Sequence, residues 1–299
     1  MLDYALLDAL AAVVRTGSFE RAARRIGVTP SAISQRVKLL EERIGTVLVV
    51  RGQPCRGTEA GLRLARHAEE VALLERTLGE DMGRPVSGGH LPTIRVAVNA
   101  DSLATWFVSA MAAVPDCLFD LVLDDQEHSA DWLRRGEVRA AVSGSDAPVQ
   151  GCDCRPLGAL RYVATASPDF MARWFPQGVT AESLARAPAL TFNTKDMLQT
   201  RWLERHLGPG ILPPTHWLPS SHGFVDATLS GLGWGLNPEA LVVEAIKAGR
   251  LVPLLADAAY DVPLFWHWSR SVATALKPLN AAVTEAARSM LQPPSEGPP

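Results

Sequence analysis

Apolar residues near the start of the chain recur on a helical period. In "LDYALLDALAAVVRTGS", Leu6, Ala9, Leu10 and Val13 form one stripe, and Gly17-Ser18 ends it. Ser18 can cap the next helix, whose stripe is Phe19, Ala22, Ala23 and Ile26, and Gly27 follows as a left-handed turn residue. Thr29-Pro30 then opens a third helix, with Thr as N-cap and Pro where its missing N–H costs nothing. The inward stripe of this helix is Ile33, Val37, Leu40 and Ile44. Its opposite side carries Ser31, Ser34, Gln35 and Lys38, with Arg36 and Arg43 at the flanks. Two short helices around a tight Gly turn are a helix-turn-helix. Short hydroxyl and amide groups reach base edges in a major groove while cations meet phosphates, so the third helix predicts DNA binding. The competing reading is an ordinary solvated face.

From Thr58, "TEAGLRLARHAEEVALLERTLGEDM" predicts a long amphipathic helix along Leu62, Ala65, Ala68 or Glu69, Ala72, Leu74 or Glu75, and Leu78. It can pack on its own domain or pair two copies of the chain; pairing is favoured, because one helix-turn-helix reads too few bases. "GRPVSGGHLP" (83–92) has no period and reads as a hinge. Beyond it strands alternate with helices: "TIRVAV", "SLATWFVSAMAAV", "LFDLVL", "HSADWLRRG" and "VRAAVS" in one half, with a second half from "LRYVATA" onward. This alternation predicts α/β layers with largely parallel sheets. The expected boundaries are 1–58 for the DNA-binding head, 59–90 for linker helix and hinge, 91–292 for the body, and 293–299 for a disordered tail.

Charge sharpens the division. Residues 1–58 hold nine basic and five acidic residues, whereas the chain of 299 residues carries a net −3, leaving the body at −7. A basic head on an acidic body suggests that the head meets a polyanion and the body does something else. No apolar run reaches the ~20 residues of a membrane helix, and Asp3 and Asp8 stand where a signal peptide would be basic, so a cytoplasmic protein is expected. Four cysteines at this length do not suggest a disulfide scaffold, and Cys152-x-Cys154 lacks a second ligand pair, so no metal is expected.

The stretch "FERAARRIGVTPSAISQRVKLLEERIGTVLVVRGQPCRGTEAG" resembles the N-terminal domain of LysR-type transcriptional regulators. Ala22-Ala23, Pro30-Ser31-Ala32-x-Ser34, Leu40-Glu41 and Thr58-x-Ala60-Gly61 carry the likeness, which extends over nearly the whole chain. In "VVRGQPCRGTEAG" and "VNADSLATWF" it looks like the ArgP (IciA)/LysG branch, which senses arginine or lysine. Val49 stands where many relatives have Phe, a conservative packing change. The resemblance implies a winged helix-turn-helix with Arg51, Gln53 and Arg56 near the backbone or minor groove. It also implies a two-lobed, periplasmic-binding-protein-like (type 2) effector domain, assembly as dimers or dimers of dimers, and action on RNA polymerase at a promoter. The target it suggests is a gene for a basic-amino-acid exporter.

In such sheets ligands sit beyond the carboxyl ends of strands. The residues there are Asp101 and Ser102 after "IRVAV", Asp125 and His128 after "LVL", Asn193 at the end of "TFN" and Asp196 after it, and Ser221 and His222 before "GFVDATL". Helix ends and serines suit an α-carboxylate. Asp101, Asp125 and Asp196 suit an ammonium or guanidinium, and Trp106 and Phe224 could flank an aliphatic stem. Asp at strand–helix junctions is equally common as a cap. His128 and His222 read as hydrogen-bonding residues, and Trp217, Trp234, Trp266 and Trp268 as core and inter-lobe packing. No cofactor is expected beyond an amino-acid effector, lysine or arginine. No G-x-S-x-G elbow, P-loop or H-E-x-x-H motif appears, so an enzyme is disfavoured. A transport receptor and an architectural or origin-binding DNA protein without effector are the remaining alternatives.

Overall fold

The computed structural model describes residues 2–83, 91–123 and 129–293. These pack as two units: one runs through Thr93 and takes in Asp116–Leu118, and the other comprises the rest. Most of the expected hinge and all of the tail beyond Pro293 lie outside the described residues.

In the first unit three helices, α1 (Tyr4–Thr16), α2 (Phe19–Ile26) and α3 (Pro30–Ile44), begin where local chemistry dictates. Asp3, Ser18 and Thr29 cap them by accepting from the N–H of Ala5, Arg21 and Ala32. Gly17, Gly27 and Gly45 end them at φ of 62°, 71° and 80°, a region glycine enters without strain. Leu7, Leu10, Val13, Ala22, Ala23, Ile33, Val37 and Leu40 close one core. Ile44 does not join it: it is 39% exposed, since the stripe drifts off the core face at the helix end. A two-stranded hairpin follows, β1 (Val49–Val50) antiparallel to β2 (Arg56–Gly57). Helix α4 (Glu59–Asp81) packs its first half on α1, with Ala65 and Ala68 in the same core and Arg15 paired to Glu69 at 2.6 Å. Further along, Leu74, Leu78 and Met82 are exposed.

The second unit is built on a seven-stranded sheet of β3 (Thr93–Val98), β4 (Leu118–Leu123), β5 (Ala140–Ser143), β6 (Cys152–Ala166), β9 (Gly235–Pro238), β10 (Val252–Pro253) and β11 (Tyr260–Ser269). A separate pair, β7 (Ala189–Thr191) and β8 (Thr215–Trp217), meets β9's lead-in through the bridge Ala189–Trp234. The two long strands β6 and β11 run antiparallel from Ser269↔Cys152 to Tyr260↔Tyr162 and traverse both lobes. One end of β11 pairs β5, while the far end of β6 pairs β9 and β10. Their register shifts between Leu264 and Phe265, opposite Gly158. A Cβ at Gly158 would stand 2.4 Å from the carbonyl of Gln292, whose backbone exchanges two hydrogen bonds with Ala159 at this crossover.

The expectation of largely parallel sheets is therefore corrected. Parallel pairing joins β3 to β5 and β7 to β8, but every described pairing of β6 and β11 is antiparallel. Strands that carry the chain between lobes pass in opposite directions, so they pair antiparallel whatever the local α/β alternation is. Trp234 and Trp266 are fully buried, as expected of packing residues, whereas Trp217 is 56% exposed on β8 and contributes to neither core nor lobe packing. Among the described residues no helix is long and apolar enough to cross a membrane.

Candidate functional site

The outward face of α3 is free of its own core. Ser31, Gln35 and Lys38 are exposed, Ser34 and Arg36 half-buried. Arg36 turns toward α1, near enough to Asp8 to oppose the rise that burial imposes on that carboxyl's pKa. Lys38 lies 3.7 Å from Glu42, one turn on, an exposed pairing that water and salt weaken. The side chain of Glu41 points the other way, into the joint: its Oε1 accepts from the backbone N–H of Leu48 and Val49 at 2.8 and 3.2 Å, tying α3 to the hairpin. At the hairpin, Arg51, Gln53 and Arg56 are all exposed. The guanidinium of Arg51 lies 5.4 Å from the centroid of the Phe19 ring, a cation–π contact that steadies the loop against α2. Cys55 N–H donates to the carbonyl of Gly17 at 2.9 Å and fixes the hairpin's return. A polar helix face and a basic hairpin thus share one rigid unit.

The second unit holds a small cavity, about 20 Å³ and so room for about one water, at the carboxyl ends of its strands. Its polar wall is Asp101, Asp196, Gln199 and Ser221, and its apolar wall is Phe192, Leu198, Phe224, Leu236 and Pro238. Asp101 opens a continuous helix over 100–112 whose middle turn, Leu103–Phe107, is π-helical. Its carboxylate accepts from the Tyr162 hydroxyl at 2.7 Å and from the Ser221 hydroxyl at 2.5 Å. Tyr162 belongs to β6 and Ser221 begins the helix Ser221–Leu229, so Asp101 is held from the crossing strand and from the opposite lobe. The carboxylate of Asp196 accepts from the backbone N–H of Phe192 and Leu198 at 3.0 and 2.9 Å. Asn193 accepts from the N–H of Lys195 and Asp196, shaping the turn that presents it. Both carboxylates thus accept hydrogen bonds from hydroxyl or amide donors of distant or neighbouring segments. Among the described lining residues there is no Lys or Arg, so the wall is acidic on one side and apolar on the other.

Of the residues expected to bind an effector, Asp101, Asp196, Ser221 and Phe224 come together here, with Asn193 one step behind. Ser102 and Trp106 are fully buried in the helix over 100–112, Trp106 against Phe107 edge to face, and neither lines this cavity. His222 is exposed on the helix Ser221–Leu229. Asp125 and His128 lie outside the described residues. Tyr162 and Gln199 were not anticipated. Each sits inside a regular element, and only the tertiary path brings it to a strand end.

Two family models account for nearly the whole chain. Residues 4–62 match the bacterial regulatory helix-turn-helix protein, lysR family, and residues 87–289 match the LysR substrate binding domain. The chain is 48% identical over 274 residues to the HTH-type transcriptional regulator ArgP of Pseudomonas fluorescens, covering 91% of each. It is 43% identical over 288 residues to LysG of Mycobacterium tuberculosis, covering 96% of this chain and 93% of the relative. Among solved structures, ArgP from Mycobacterium tuberculosis superposes with a TM-score of 0.77 at 42% identity, covering 98% of this chain and all of that one. LysG from Corynebacterium glutamicum with bound effector Arg gives 0.64 at 36%, with the same coverage. The capped recognition helix, its hairpin and the two-lobed α/β unit are those of a DNA-binding transcription regulator, and the chain belongs to the LysR family.

Proposed function

We propose that this regulator senses a basic amino acid, lysine or arginine, in the cavity of its second unit and alters transcription at a promoter accordingly. The observation that carries this reading is the cavity wall itself: two carboxylates, Asp101 and Asp196, beside Phe192, Phe224 and Leu198, with no lysine or arginine among the described lining residues. A relative of similar sequence has arginine bound as its effector, which supports the same ligand class. The α-carboxylate would dock near the start of the helix over 100–112, since a helix N-terminus favours an anion. Asp101, Asp125 and Asp196 would answer the cationic groups.

DNA would be read by Ser31, Ser34 and Gln35 in the major groove, with Arg36, Lys38, Arg51, Gln53 and Arg56 on phosphates or the minor groove. Two copies would pair through α4, as a dimer or dimer of dimers, to read two half-sites. Ligand would enter by parting the lobes at the Asp101–Ser221 contact, and the lobes would then close on it. That closure would change the spacing of the paired heads, DNA bending and access of RNA polymerase, to the extent that ligand prefers one arrangement. A basic-amino-acid exporter gene is the target proposed.

Calorimetry of the full chain against the twenty amino acids tests the sensor. Saturable heat with lysine or arginine and none with their neutral analogues is expected; binding of an acidic or aromatic amino acid instead removes the reading. A gel shift with specific competitor, with and without the same ligand, separates this from ligand-independent DNA packaging.

A further inference from the structure

Gln199 occupies the first turn of the helix Leu198–Leu207 and is 5% exposed, yet its side-chain carbonyl Oε1 has no hydrogen-bond partner among the described residues. A buried acceptor without a donor is costly and uncommon in folded proteins, and one that faces a cavity calls for a partner from outside the chain, an ordered water or a ligand donor. This one lies on the wall of the cavity that holds Asp101, Asp196 and Ser221. Its neighbours differ from it. The Asp101 carboxylate already accepts from two hydroxyls, and the Asp196 carboxylate from two backbone N–H groups. Among these three acceptors, Gln199 is the one whose demand the protein's own donors leave unmet.

We propose that Gln199 is a specificity-determining residue, its Oε1 accepting an N–H of the effector's cationic group. The proposal rests on the sensor reading above and deepens it. Carboxylates attract any small cation, whereas a fixed amide carbonyl adds direction without adding charge. Ammonium carries three donors and guanidinium five, so a bound basic amino acid brings several N–H groups, of which one can be directed at Gln199 while others meet carboxylates. A neutral aliphatic stem brings none, and Gln199 would then stay unsatisfied against it. Discrimination against ligands that lack a donor is strongest when the site's buried polar group is left unpaired by them.

The test titrates L-arginine and L-lysine into the full chain and into Gln199→Met and Gln199→Glu, by calorimetry, with thermal unfolding of each variant as a control. Methionine keeps the volume and unbranched shape but offers no comparable acceptor, and glutamate keeps the acceptor. We expect Gln199→Met to weaken both ligands by about tenfold or more while its unligated unfolding temperature stays at or above that of the parent, because an orphaned buried acceptor has been removed. Gln199→Glu should stay within about threefold of the parent. Parent-like affinity in Gln199→Met overturns the inference while leaving the sensor intact. Equal losses in both variants overturn it too, since that pattern reports packing. A parent protein that binds neither amino acid overturns the sensor reading and this inference with it.

Discussion

Ser31, Gln35 and Lys38 stand on successive turns of α3 with their ends in solvent, and each makes a different kind of offer to a duplex. An amide can engage a base edge in a bidentate manner, which is worth about 1–3 kcal/mol of discrimination. A lysine neutralises a phosphate and contributes about one unit to the dependence of log K on log salt. Gln35→Ala is therefore expected to lower preference for the operator over competitor DNA, and Lys38→Ala to weaken both alike with a shallower salt slope. Gel shifts at several salt concentrations distinguish the two, and a Gln35→Ala protein with unchanged preference would remove that residue from base reading. In the second unit, the Asp101–Ser221 contact joins residues 120 positions apart, and Asp101–Tyr162 joins residues 61 apart. No local pattern signals either, although Asp101 and Ser221 were each recognisable from their place at a strand end or helix start.

Helices in the head were legible because their causes are local. Caps at Asp3, Ser18 and Thr29, turn glycines at 17, 27 and 45, and apolar residues three and four apart all act within one or two turns. The Thr58-x-Ala60-Gly61 segment has a less local cause. A Cβ on Gly61 would stand 1.9 Å from the carbonyl oxygen of Leu48, which accepts from Thr58 N–H, while Leu48 itself is held by Glu41. Gly61→Ala must push α4 off the hairpin, and we expect a loss of at least about 1–3 kcal/mol, read as a lower unfolding temperature by circular dichroism. An unchanged transition would show that this joint is soft. Farther along, Leu74 and Leu78 of α4 and Met82 just past its end are unburied at i, i+4 and i+8. If that stripe pairs two copies, Leu74→Glu with Leu78→Glu will sediment as a smaller species than the parent at micromolar concentration. Equal sedimentation would refute pairing through this face.

At the scale of the whole molecule, acid is the informative perturbation. His267 is fully buried on β11, and burial, only partly offset by its hydrogen bond to the Ser145 carbonyl, lowers its pKa from the ordinary 6.5. Burial moves His206 the same way. The unfolded chain binds protons at these sites before the folded one does, so stability is complete above about pH 6.5 and falls as the pH drops through that value toward the folded pKa. Thermal unfolding between pH 5 and 8 is expected to show the decline in the second unit, and His267→Phe to flatten it. A slope that survives the substitution would assign the effect to other groups.

The primary sequence by itself determined the three capped helices, the exposed polar face of α3, the basic head and the α/β alternation of the body. Each follows from spacing or from residues that touch within a few positions. Only the tertiary structure decided that β6 and β11 cross both lobes and turn the sheet mixed, that Ile44 and Trp217 face solvent, that Gln199 lines the cavity and that Tyr162 holds Asp101. Those outcomes depend on which distant strand lies alongside, and hydrophobic periodicity carries no record of it. Strand lengths show the limit well: "LRYVATA" and "LFWHWS" are only parts of strands of 15 and 10 residues. The remainder of each, with Pro156 and Pro263 in its path, is held extended by cross-strand pairing rather than by its own residues.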